Sequence, residues 1–213
     1  MWLGTWQQLA NLTVSQLEIS ASILDIGVRA TDLGVLLDSQ LSMALHIAAV
    51  CRMPDYQMRQ LWSIKRSLTT TALQALVQAF VYCRLDYCNA LLAGVADVHL
   101  KRLQSVQNAA ARLVSGSRRC DPITPVLARL HWLLVRQRIA FKTVALVSKA
   151  QHGAAPQHLW LTTAGVLMVP RAQTTTGQRS FAVNGPTAWN SLLAALRAPD
   201  RSLAGFKHHL KTY

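Results

Sequence analysis

The first forty residues alternate short apolar runs with polar breaks. "ASILDIGV" and "TDLGVLLDSQL" are short and divided by Gly, Asp and Thr. Both predict strands, the second one buried and followed by a turn after Asp38.

From about residue 42 to 152 the apolar spacing becomes helical. Pro54 interrupts "HIAAVCRMPDYQMRQLWSIKRSL" and predicts a helix on either side, because proline lacks the N–H and its ring crowds the preceding turn. The threonines of "SLTTTAL" are good N-caps for the next helix. Its stripe runs Leu73, Leu76, Val77, Phe80, Tyr87, Leu91 and stops at Gly94. Arg84 falls on that stripe, so it must snorkel, pair with an acid, or project from the domain.

The following helix is expected from Asp97, as N-cap, to Gly116 at its C-terminal cap. Leu100, Leu103, Gln107, Ala110 and Val114 share one face; Lys101, Ser105, Asn108 and Arg112 share the other. A further helix through "LVRQRIAFKTVALVSKAQHG" stops at Gly153 and carries Arg136, Arg138, Lys142 and Lys149. Beyond Pro156, "GVLMVPRAQTTTGQRSFAVNGP" places two apolar runs around a Thr- and Gly-rich turn and predicts a hairpin. An aromatic anchor in "TAWNSL" and a short basic helix in "SLAGFKHHLKTY" follow.

The pattern as a whole predicts a mainly α fold with a small β contribution. Short strands occupy residues 1–41, a helical bundle residues 42–120, and an α/β tail with a hairpin residues 121–213.

Charge changes the picture, since 22 Lys and Arg face 9 Asp and Glu, and a field of that sign favours polyanions. It is also uneven: residues 1–60 carry about −2 and the rest about +15. Anion binding is therefore expected downstream of residue 60. Arg118 and Arg119, just past Gly116, can complement a helix C-terminus. They can equally join Lys101, Arg102 and Arg112 in a basic edge whose guanidinium forks match phosphate oxygens. Lys65, Arg66, Arg84, Arg136, Arg138 and Lys142 complete the candidate nucleic-acid-binding set.

Other chemistry adds little. Cys83 and Cys88 are spaced C-x4-C, and His46 and Cys51 H-x4-C, which draws a Cys3His zinc set on paper. Small buried thiols in a helical core are the plainer account, and no metal or cofactor is expected. No serine is marked as a nucleophile by a G-x-S-x-G turn. Trp132 and Trp189 sit in apolar segments and read as anchors between elements rather than stacking platforms for bases. The N-terminus "MWLGTWQQLA" has no basic stretch leading into an apolar one, and no apolar run reaches membrane-spanning length. The expectation is a cytoplasmic or nuclear protein, not secreted, with reduced thiols and no transmembrane segment.

Five blocks carry a resemblance: "TDLGVLLDSQLSM", "LVQAFVYCRLDYCNALLAGV", "LKRLQSVQNAAARLVSGSRRCDPITPVLARLHWL", "VRQRIAFKTVALV" and "GQRSFAVNGPTAWNSLLAALRAPDRSLAGFKHHLKTY". Together they resemble the C-terminal part of the reverse transcriptase polyprotein of LINE-type, non-LTR retrotransposons, in the chicken-repeat branch of the jockey-like group. The resemblance implies the end of the palm over 1–41, a thumb that holds template and primer over 42–120, and a C-terminal extension over 121–213.

It also implies what to look for and not find. The family's polymerase holds two metal ions with a Tyr-x-Asp-Asp turn and an upstream Asp, whereas no two of the nine acids here are adjacent. The family's endonuclease domain has no counterpart among the blocks. The expectation is a non-catalytic chain with weak, sequence-independent affinity for RNA or an RNA–DNA duplex, and with a full-length reverse transcriptase as a partner. Three departures stand out: Leu134 where the family usually has proline, a shortened stretch near residue 160, and Met53, Pro54 and Asp55 in place of a more regular helical stretch. Two other readings remain open, a reading frame without selected function and a basic amphipathic protein that binds a partner or a membrane surface.

Overall fold

The computed structural model describes residues 1–19, 22–153 and 166–197. The stretch near residue 160 and the basic helix expected over 202–213 lie outside the described residues.

The chain opens with a one-turn-and-a-half helix, α1 (Trp6–Ala10), closed by a capping box between Thr5 and Gln8. Two separate antiparallel hairpins follow. In the first, β1 (Gln16–Ile19) pairs with β2 (Ser22–Asp25), with Leu17 opposite Leu24. In the second, β3 (Arg29–Asp32) pairs with β4 (Val35–Asp38), with Thr31 opposite Leu36. β2 and β4 fall in the two apolar runs, whereas β1 lies outside both and β3 largely between them, and only Val35 of β4 is fully buried. The turn after Asp38 is held by its carboxylate, which accepts from the Ser42 N–H and the Ser42 hydroxyl, each at 2.8 Å.

Helix α2 (Ala44–Ile64) runs unbroken through Pro54, and this corrects the expectation of two helices. Pro54 sits on the buried face with Cys51, Met58 and Leu61. Packing of that face outweighs the roughly 3 kcal/mol that an interior proline costs.

After a 3-10 turn at Lys65–Ser67, Thr69 caps α3 (Thr70–Val77) by accepting from the Ala72 N–H at 3.2 Å. The helix then widens into a π turn over Gln78–Tyr82 and continues as α4 (Cys83–Asp86). The extra residue of the π turn moves the buried face on by one position. Val81, Tyr82, Leu85 and Leu92 are buried, whereas Phe80, Tyr87 and Leu91 of the expected stripe are exposed. Arg84 therefore projects outward, and Cys83 is exposed rather than a core thiol.

Helix α5 (Asp97–Ser115) is the centre of the bundle. Its buried positions include Leu103, Gln107, Ala110 and Val114, as its periodicity requires; Leu100 is half-buried. Ala96, not Asp97, is its N-cap, and Gly116 closes it at φ +73°, a conformation glycine adopts without a side-chain clash. A short α6 (Thr124–Arg129) and the long α7 (Val135–Gly153) complete the bundle.

The tail differs from expectation. In place of a hairpin, Thr174 caps α8 (Thr175–Arg179) by accepting from the Gly177 N–H, and α9 (Phe181–Asn190) follows at once. The threonines that looked like a turn act as a helix start. The main core gathers residues from Val35 to Ile139, with the Trp132 and Tyr82 rings packed in a tilted pair at 4.3 Å between centres. A second, smaller core joins Val144 and Val147 of α7 to Leu167, Trp189, Leu192 and Leu196. Helix α7 serves both, so residues 121–139 pack with the bundle and the later tail packs on the far half of the same helix. Trp132 and Trp189 are buried anchors. Among the described residues no helix is long and apolar enough to cross a membrane.

Candidate nucleic-acid interface

Helices α2 and α5 pack side by side, and two observations fix their direction. The charge of Arg102 acts on Cys51, and a Cβ built on Gly116 would lie 3.8 Å from Lys65 Nζ. The offset between partners is the same in both pairs, so the helices run parallel and both C-termini reach one end of the bundle. Between Asp97 and Arg112 the axis of α5 rises about 22 Å, which separates two ends with different electrostatics.

At the C-terminal end the cations gather. Lys65 lies 4.7 Å above the Trp62 ring and beside Gly116, with exposed Arg66 next to it. The Arg112 Nε–H donates to the Arg118 carbonyl at 3.3 Å, folding the chain back so that exposed Arg118 and Arg119 stand beside the helix end. Asp121 closes that turn by accepting from the Arg118 backbone N–H at 2.6 Å. Among the described residues no ion pair involves Lys65, Arg66, Arg112, Arg118 or Arg119. Two helix dipoles present partial negative charge here, which holds some of these cations in place. Five cations exceed what two half-charges offset.

From the middle of α5 to its N-terminus the cations are spoken for. The Arg138 guanidinium grips Asp86 through Nε and through Nη2 at 2.5 Å, and Lys142 Nζ adds a third contact to the same carboxylate at 3.1 Å. The side chains of Arg138 and Asp86 are only 19% and 20% exposed. Burial by itself would raise the Asp86 pKa; the hydrogen bonds and charge of Arg138, with those of Lys142, outweigh it and hold the carboxyl below the usual range. Arg138 also lies 4.2 Å from the Tyr82 ring centre.

The same corner explains why Gln107 sits on an apolar face. Its Nε2 donates to the Tyr82 hydroxyl at 2.5 Å and to the Leu133 carbonyl at 2.8 Å, and Gln104 receives the Val135 N–H at 2.9 Å. Burial pushes the Tyr82 phenol up, and the Gln107 hydrogen bond only partly offsets this. Arg136 pairs with Asp97 at the surface.

The candidate set therefore divides. Lys65, Arg66, Arg112, Arg118 and Arg119 come together; Arg136, Arg138 and Lys142 are engaged by acids away from that corner. Lys101 and Arg102 are exposed along α5 between the two, and Arg84 stands apart on α4.

Sequence reasoning passed over Arg52 and Arg59, which are exposed on α2. They are seven residues apart, which sets both on one helix face, and Arg66 follows seven residues after Arg59 in the turn that ends the helix. Summing charge over the first sixty residues hid them among five acids. Of the zinc set, Cys51 and His46 are buried, Cys88 is half-buried and Cys83 is exposed. Among the described residues no three His, Cys, Asp or Glu side chains are grouped to hold a metal.

Comparison with protein-family models, with curated proteins and with solved structures gives no match.

Proposed function

We propose that the chain is a non-catalytic relative of the thumb and C-terminal extension of non-LTR reverse transcriptases, which binds RNA or an RNA–DNA duplex weakly and without sequence preference. The observation that carries this reading is the group of unpaired cations where α2 and α5 end together. Arg forks and a lysine at a convex helix end suit phosphate oxygens, and nothing in the group reads a base edge. The reading assigns no chemical step: no acids are adjacent in the sequence, and Asp86 and Asp97 are occupied by cations. The same resemblance supplies a full-length reverse transcriptase as protein partner. The exposed apolar residues Leu17, Ile19, Ile23 and Leu24 on the first hairpin are a surface that such a contact would cover.

The test is a titration of labelled RNA–DNA duplex at rising salt. Release of counterions from about five phosphates predicts a loss of about 10²- to 10³-fold in affinity between 50 and 200 mM salt. Affinity that stays level across that range overturns the reading.

A further inference from the structure

The outer face of α2 carries a second feature that the charge of the corner does not use. Going along the helix from Arg52, the steps to Tyr56, Arg59 and Trp62 are four, three and three residues, so cations and aromatic rings alternate over the exposed side of the helix, the two rings about a third of a turn apart and Arg66 just past the helix end. Tyr56 is 62% exposed and Trp62 is 55% exposed. Both rings are large apolar surfaces left in water on a helix whose other face is fully packed. Trp62 is also covered on one side by the Lys65 ammonium at 4.7 Å, a contact that orients the ring and places a charge beside it.

We infer that this surface is a stacking platform for single-stranded nucleic acid. Two rings about 9 Å apart along the axis and about a third of a turn apart around it can each take a base of a strand that winds over the helix, with the arginines between and beyond them on the intervening phosphates. Charge complementarity selects the occupant: Arg52 and Arg59 on the helix, with Lys65 and Arg66 in the turn that ends it, are four cations against the single acid Asp55 over residues 44–67. An apolar protein partner would gain nothing from these cations. A duplex keeps its bases stacked on each other and offers the rings no exposed base face.

The surface runs into the basic corner at Lys65 and Arg66, so the inference extends the proposed function from phosphate contact to bases that are unpaired. It rests on that reading only for the shared cations.

The experiment compares fluorescence anisotropy titrations of a labelled single strand of about 20 pyrimidine nucleotides and of the matching duplex, at one moderate salt concentration. The proteins are wild type, Tyr56→Ala with Trp62→Ala, and Tyr56→Phe with Trp62→Phe, each checked by thermal melt. The expected result is tighter binding of the single strand, a loss of about tenfold or more for that strand in the alanine pair, and retention in the phenylalanine pair, which keeps the rings. Duplex bound as tightly as single strand, with the alanine pair unaffected, overturns the stacking platform and leaves the phosphate-binding corner standing. Binding of neither nucleic acid overturns both.

Discussion

Two regions beside helix α5, the acid-lined stretch from its N-terminus to its middle and the corner at its C-terminus, are built from the same residue types and behave as opposites. Near Asp97 and Asp86, three of the candidate cations are matched by acids, and one of the pairs is sheltered against the Tyr82 ring. Near Gly116, five cations face helix ends and water. The contrast teaches that a basic residue is a candidate for a polyanion only after the acids around it have been counted in space. Arg138 belongs to the architecture, whereas Arg118 and Arg119 are free to act.

That contrast can be broken most severely at Asp86. Asp86→Ala leaves a sheltered guanidinium without its partner, and the expected cost is about 3 kcal/mol, a fall of about 6–12 °C in melting temperature. Affinity for RNA should stay as in wild type, because the corner is untouched; a variant with wild-type stability would mean that the pair does not tie α7 to the bundle.

The same carboxylate sets a pH dependence. Its folded pKa is lowered, so its contribution is complete above the unfolded value of about 3.9 and is lost as pH falls through the folded pKa. Denaturant melts of wild type and Asp86→Asn should therefore differ by a constant amount from neutral pH down to about 4, with the gap closing below that.

At the other end, Arg118→Glu with Arg119→Glu should lower duplex affinity by about tenfold or more and reduce the slope of log affinity against log salt by about 2. The melting temperature should hardly move. Equal affinity in this variant would place phosphate contact elsewhere.

Gly116→Ala forces a side chain into the left-handed region and should cost about 1 kcal/mol by chemical denaturation, with the new Cβ in ordinary contact with Lys65. The smallest effect is expected for Arg136→Ala, at most about 0.5 kcal/mol, because both partners of that pair are exposed. A large loss there would erase the distinction between the sheltered and surface pairs.

Periodicity alone located α5, including its stop at Gly116 and the burial of Leu103, Ala110 and Val114. It also placed the helix of residues 135–153 and the cap at Thr69. These are local matters: a 3.6-residue repeat, a hydroxyl ahead of a helix, a glycine after it. Mainly helical architecture with a small strand content follows from the same signals. Of the candidate interface, Arg112, Arg118 and Arg119 were legible because they cluster in sequence around a helix end.

What tertiary structure decided is of a different kind. Pro54 remains within a helix because its ring joins a packed face, and no local rule weighs that gain against the missing hydrogen bond. The π turn at Gln78–Tyr82 moved the buried stripe by one residue and turned Arg84 and Cys83 to solvent. The segment around Thr174–Arg179 is helical although its composition reads as a turn, and its Arg179 ties back to the Leu41 carbonyl at 2.8 Å. Lys65 meets Gly116, and Asp86 meets Arg138 and Lys142, across separations that carry no sequence signal. Sequence determined where α5 and α7 form and how much charge the chain holds. Only packing decided which of those charges are neutralised, because Coulomb attraction depends on distance in space and not along the chain.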